Sequence, residues 1–266
     1  MDQSELEELL SDLPLSAARY YPQVSSTNDL AARWAAAGGP HLALVVADEQ
    51  TAGRGRLNRR WYTLPGSALA FSLILQGEIL ALEREAIPQV TALGALAACD
   101  ALNQDLPTRV AAQIKWPNDV LAGRRKMAGA LAEAHWQGEE LQAVILGVGI
   151  NVAPASLPPA EALDFPATCL EDVLGYPVDR WSVLHAVLAR LLGWLPSLGQ
   201  PGFIQAWEQR LAFHGEWVRV SLGSQPPLEG RIRGLGPDGS LRIQTRDGKE
   251  RELRLGDIHL RPVDRL

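Results

Sequence analysis

Gly53-Arg54-Gly55-Arg56-Leu57-Asn58-Arg59-Arg60-Trp61 places four guanidinium groups in seven residues. Continuous apolar runs lie on either side, at 42–47 and 68–75, and both read as buried strands. The sequence therefore predicts a Gly/Arg loop between two strands of a covered sheet. Its glycines let the backbone take positive φ and come close to a ligand. Its guanidinium forks match carboxylate or phosphate oxygens bidentately, and Trp61 offers a flat face to a base. Mutual repulsion makes such a loop mobile without an anion, so ordering on binding is expected. The plain alternative is a solvated basic turn. The stretch is neither the dinucleotide fingerprint G-x-G-x-x-G nor a P-loop.

Outward from the loop, helical spacing of apolar residues predicts helices at 2–13, 28–37, 84–104, 180–195 and 202–212. A short strand over 113–116 ends at Pro117. Strands over 127–134 and 142–152 flank Gln137-Gly138. From Gly215 the period changes to two, and Asp238-Gly239 and Asp247-Gly248 mark tight hairpins. Domains at 1–213 and 214–266 are expected, the second all-β.

Composition narrows the function classes. The 266 residues suit one large domain, or one large and one small. A net charge of −6 argues against an obligate nucleic-acid binder. No apolar run reaches the ~18 residues of a membrane span, and the acidic N-terminus lacks signal-peptide order. Two cysteines, Cys99 and Cys169, exclude a disulfide framework, and a cytoplasmic location is expected. The five histidines have no metal-ligand spacing, so metal ligands stay unassigned. Only three of 25 basic residues are lysines, and two of them, Lys115 and Lys126, lie close together.

Three further constellations carry chemistry. In Lys115-Trp116-Pro117-Asn118-Asp119 the lysine ends an apolar strand. It is placed to neutralise a carboxylate or α-phosphate, or else to reach solvent. Asn118 and Asp119 also read as local turn residues. Gly147-Val148-Gly149-Ile150-Asn151 reads as a bulge, or as close approach by a ligand or backbone. Ser26-Thr27-Asn28 reads as a helix cap, or as a polar cluster for a small neutral head group, and Gln50 has the same two readings.

In this order, together with Arg125-Lys126-Met127-Ala128-Gly129, these motifs resemble the biotin protein ligases over roughly residues 24–212. The resemblance implies an α+β fold like that of class II aminoacyl-tRNA synthetases, with a central mixed sheet flanked by helices and a small C-terminal SH3-like barrel. It implies biotin and ATP as substrates with Mg2+, a biotinyl-5′-AMP intermediate, and transfer to one lysine of a biotin carboxyl carrier domain. Ser26, Thr27, Asn28, Gln50, Gly53, Gly55, Gly147 and Gly149 then belong to the biotin side. Lys115, Arg54 and Arg56 carry catalysis and also touch biotin. Arg56, Arg59, Trp61, Asn118, Lys126 and Asn151 belong to the ATP side.

Some relatives carry an N-terminal DNA-binding domain, but only 25 residues precede Ser26 here. A monofunctional enzyme without nucleic-acid or membrane partners is expected. Leu57-Asn58 departs from the more basic loop centre of the family, which bears on adenylate retention. A homodimer is possible. The rival readings are a lipoate or octanoate ligase or transferase of the same fold, and a biotin-sensing protein without turnover.

Overall fold

The structure is a computed structural model that describes all residues except 57–58, 78, 80–86, 160, 162, 164, 223–225, 255–257 and 264–266. The departure at Leu57-Asn58 lies outside the described residues.

Seven strands form one mixed sheet: β1 (Ala17–Val24), β2 (Ala43–Gln50), β3 (Ala68–Leu75), β4 (Gln113–Lys115), β5 (Asp119–Ala122), β6 (Arg125–Gln137) and β7 (Glu140–Asn151). Their spatial order is β1-β2-β3-β7-β6-β5-β4. β1 and β2 run parallel, and every other neighbouring pair is antiparallel.

The period of two along the central strands sorts the core onto two faces. Ala43, Val45, Ile74, Ala143 and Ile145 pack with Ala31 of α2 (Thr27–Ala36). The alternate residues Leu44, Val46, Leu73, Leu75, Val144 and Leu146 face the larger core of α3 (Ile87–Gln104) and α5 (Arg180–Trp194). With both faces covered, all eight residues of β3 are buried, which is why this strand reads as an apolar run broken only by Ser72.

The first helix, α1 (Gln3–Leu9), is shorter than expected and starts in a capping box of Asp2 and Glu5. Within the interval expected as helix 84–104, the described helix begins at Ile87. β6 and β7 run longer than their apolar cores suggest.

Two strands were not expected. β1 is an edge strand that is nowhere fully buried and tolerates Pro22. β5 has four residues, too few to show a period. A five-residue helix, α4 (Leu170–Leu174), was also not expected.

The last helix, α6 (Pro201–Gln209), is followed by a segment that pairs with β4. Ile114 N donates to Arg210 O at 2.7 Å, and Ala212 N donates to Ile114 O at 2.9 Å. Arg210 is fixed from behind by Asp100, a buried carboxylate of α3 that also accepts from Trp194 Nε1 at 2.9 Å.

The C-terminal strands β8 (Trp217–Leu222), β9 (Leu228–Leu235), β10 (Leu241–Thr245), β11 (Glu250–Leu253) and β12 (Ile258–Pro262) form an antiparallel sheet of order β11-β10-β9-β8-β12. The expected barrel is not closed. Edge strands of four and five residues offer little ladder, and β11 and β12 do not pair among the described residues. Both Asp-Gly turns are present, with Gly239 and Gly248 at φ +82°.

The β9–β10 turn presses on the larger unit. Trp116 Nε1 donates to Gly239 O at 3.0 Å, and Gln89 Nε2 donates to Asp238 O at 3.3 Å. No described helix is long and apolar enough to cross a membrane.

Candidate active site

A cleft of about 270 Å³ opens over the middle of the large sheet. Among the residues lining it are Ser26, Thr27, Asn28, Gln50, Arg54, Gly55, Arg56, Arg59, Trp61, Lys115, Asn118, Lys126, Gly147, Gly149 and Asn151. Of the site residues expected from sequence, only Gly53 stands behind the lining.

One end of the cleft is neutral and polar. α2 begins there, with Ser26 as its N-cap. The capping reading of Ser26 therefore holds, but Thr27 and Asn28 are the first helical residues and turn into the cleft. Thr27 N donates to Gln50 Oε1 at 2.8 Å. Gln50 Nε2 donates to Thr63 Oγ1 at 3.2 Å. Ser72 Oγ lies 2.8 Å from Thr27 Oγ1 and donates to Asn28 Oδ1 at 2.6 Å. Asn28 Nδ2 in turn donates to Glu133 Oε2 at 2.5 Å. These buried amides and hydroxyls are held by one another, which pre-organises them for a ligand with its own donors and acceptors.

The glycines work by close approach. A Cβ on Gly147 would stand 2.2 Å from Asn28 Oδ1, and one on Gly149 would stand 2.3 Å from the Trp61 ring. β7 keeps regular register with β3 there, so neither glycine marks a bulge. Nor does positive φ explain the loop glycines. Gly53 and Gly55 are not in the left-handed region, and Gly53 is needed because a Cβ would meet Trp61 O at 2.6 Å.

Residues 51–56 and 59–61 fold over the cleft as a narrow flap. Gly55 N donates to Arg59 O at 2.7 Å, and Trp61 N donates to Gly53 O at 2.9 Å. Arg56 Nη1 donates to Asn118 Oδ1 at 3.2 Å. Arg54 points elsewhere, its Nη1 2.7 Å from Asp29 and its Nη2 3.1 Å from Glu133. The expectation that Arg54 offers charge to anionic reactants is not the arrangement seen, because its guanidinium is already paired.

The other end of the cleft is cationic. Asp119 sits between two ammonium groups, 2.6 Å from Lys126 Nζ and 3.4 Å from Lys115 Nζ. Burial by itself would push the Asp119 carboxyl up; the Lys126 and Lys115 charges outweigh it and hold the group down at about 2. Lys115 is 5% exposed. Burial, with Arg261 and Lys126 nearby, brings its ammonium down to about 8 against the pull of Asp119. Phe165 lies against Lys115 at 4.2 Å, and Arg261 stands over the same ring at 5.2 Å. Asn151 Nδ2 donates to Thr168 O at 3.1 Å, which leaves its oxygen for a ligand.

The depressed Lys115 value gives a signed expectation. The ammonium form is the useful one here, so kcat/KM for an anionic reactant falls as pH rises through about 8. A Lys115→Arg variant has no such limb, since guanidinium stays charged. A pH profile of wild type that is flat from 7 to 9.5 would contradict this assignment.

Asp29, Ser72, Glu133, Phe165 and Arg261 were not singled out from the sequence. Ser72 left a faint signal as the lone polar residue in an otherwise apolar strand, and Glu133 as the one charge within the apolar stretch 127–134. Asp119, read as a turn residue, instead opens β5.

A model of the biotin/lipoate A/B protein ligase family matches residues 20–151. The chain is 34% identical to a biotin–[acetyl-CoA-carboxylase] ligase of Paracoccus denitrificans, over 78% of this chain and 86% of the relative. It is 32% identical to a bifunctional ligase/repressor of Bacillus subtilis, over 86% of this chain and 70% of the relative. Its fold is similar to that of the Aquifex aeolicus biotin protein ligase solved with biotin and ATP, at TM-score 0.75 and 28% identity, over 94% of this chain and all (100%) of that one.

Proposed function

The chain belongs to the biotin/lipoate A/B protein ligase family, and from that premise we propose that it is an ATP-dependent biotin protein ligase. The observation that carries the reading is the polarity of the cleft, with a neutral hydrogen-bonding head at one end and two lysines at the other. Biotin has the same polarity, an uncharged ureido ring and a carboxylate tail.

In the first half-reaction a biotin carboxylate oxygen attacks the α-phosphorus of ATP. The bond to the β-phosphate oxygen breaks, giving biotinyl-5′-AMP and pyrophosphate. Two anions brought to 4 Å repel by about 4 kcal/mol at an effective dielectric of 20. Lys115 and Lys126 offset this from fixed positions, which costs no reorganisation as the reaction proceeds. Asp119 keeps their summed charge from being prohibitive before the reactants arrive. Thr27, Asn28 and Gln50 hold the ureido head, and Ser72 steadies Asn28 from behind. Arg56, Arg59, Trp61 and Asn118 form the nucleotide side.

In the second half-reaction a carrier-domain lysine amine attacks the acyl carbon, and AMP leaves. The flap over 51–61 shields the mixed anhydride from water.

Among the described residues no three His, Cys, Asp or Glu side chains gather as a metal cage, and Asp119 and Glu133 are already paired. A Mg2+ ion would arrive on the triphosphate, and the Asn151 oxygen, unlike the Asn118 oxygen that accepts from Arg56, would be the protein donor to it. It would neutralise phosphate charge. Residues 1–213 form the catalytic unit, and 214–266 form a β unit of SH3-like descent. The partner is a biotin carboxyl carrier domain.

The test is incubation with ATP, a matching apo-carrier domain, and biotin, lipoate or octanoate in turn. Pyrophosphate release and carrier labelling with biotin alone are expected. Labelling by lipoate alone would reverse the assignment, and binding of biotin without pyrophosphate release would favour a sensor.

A further inference from the structure

We infer that Asp29 and Glu133 are positioning residues that set where the flap lies, by gripping Arg54 between them. This rests on the ligase reading for its ligand but not for its geometry. The Arg54 fork spans two different elements. Nη1 reaches Asp29 in the first turn of α2, at 2.7 Å to one carboxylate oxygen and 2.8 Å to the other. Nη2 lies 3.1 Å from both Glu133 oxygens on β6. The hydrogen bonds to Asp29 and Glu133, outweighing burial, hold the guanidinium above its ordinary range.

The grip is connected to the ligand pocket. Glu133 Oε2 also accepts from Asn28 Nδ2, and Asn28 accepts from Ser72. One carboxylate therefore carries both the flap and the head-group pocket. A ligand that fixes Asn28 fixes Glu133, and with it the anchor of the flap. The reverse holds as well, since binding effects of this kind are reciprocal. The pairs are about one-third exposed, with side-chain exposures of 31–37%. Each is therefore a modest, salt-sensitive clasp that can open to admit ligand. Arg54 acts through the position of the flap and not on the phosphate.

The test has two arms. In the ligand-free protein, trypsin cleaves within 54–60 about five-fold faster in Asp29→Asn and in Glu133→Gln than in wild type, the scale of a partly exposed ion pair. High salt speeds wild-type cleavage toward the variant rate and leaves the variants nearly unchanged. In the second arm, biotin dissociation measured by stopped flow is faster by about the same factor in both variants. KM for biotin rises while the single-turnover rate at saturation holds within two-fold, a split that general loosening of the fold would not give. Arg54→Lys, whose single ammonium cannot span both carboxylates, reproduces the variants.

Cleavage and biotin dissociation that match wild type in both variants overturn the inference. Cleavage that changes while dissociation does not overturns the link to the pocket. A wild type that binds no biotin overturns the ligase reading, and the proteolysis arm still decides the grip.

Discussion

Lys115→Ala lowers the single-turnover rate of adenylate formation by about a thousand-fold while the protein stays folded. The size follows from the charge it removes. The repulsion of about 4 kcal/mol between the two reacting anions corresponds to roughly three decades of rate when it is left uncompensated. Lys126 cannot take over the task. It is the closer partner of Asp119, at 2.6 Å against 3.4 Å for Lys115, so its charge is the more fully spent there. The same asymmetry keeps the variant folded, because the buried carboxylate retains a cation. Quenched-flow measurement of pyrophosphate release gives the rate, and thermal unfolding gives the fold. A rate within five-fold of wild type, with an unchanged melting temperature, would take Lys115 out of the chemistry.

The second large effect is on stability and lies behind the cleft. Asp100→Ala costs about 3 kcal/mol, the lower range for breaking a buried ion pair, because Arg210 keeps some access to water. It also removes the acceptor of Trp194 Nε1. In a chain of this size that corresponds to a drop in melting temperature of roughly 6–12 °C. Differential scanning calorimetry reads it directly, and a shift below 2 °C would show that the buried pair contributes little. Because Arg210 O is the acceptor for Ile114 N, the loss also loosens the strand that ends at Lys115.

The parts of the fold that the sequence announces are those where burial imposes a period. β3 is covered on both faces and reads as an apolar run. α5 repeats Val183, Leu184, Val187, Leu188 and Leu191 toward the core. β1 stays silent because an edge strand with a proline alternates weakly, and β5 because four residues hold no period. The hairpin signals foretold the all-β unit, while the closed barrel was expected from the family resemblance; such signals specify turns and not whether the outer edges meet. The site was legible wherever a motif is contiguous, as at 26–28, 53–61 and 115–119. It was illegible wherever a lone side chain gains meaning from a distant partner. Glu133 matters because Asn28, 105 residues earlier, donates to it. Ser72 matters because it donates to Asn28, 44 residues earlier.

The β9–β10 turn has a consequence for how the chain can diverge. No reacting group lies on it, yet its Gly239 carbonyl holds the indole of Trp116, next to Lys115. A side chain at Gly239 would meet Trp207 at 2.6 Å. The C-terminal strands therefore cannot drift as a free appendage. An insertion or a bulkier residue in that turn would be felt first beside Lys115, at the nucleotide end of the cleft.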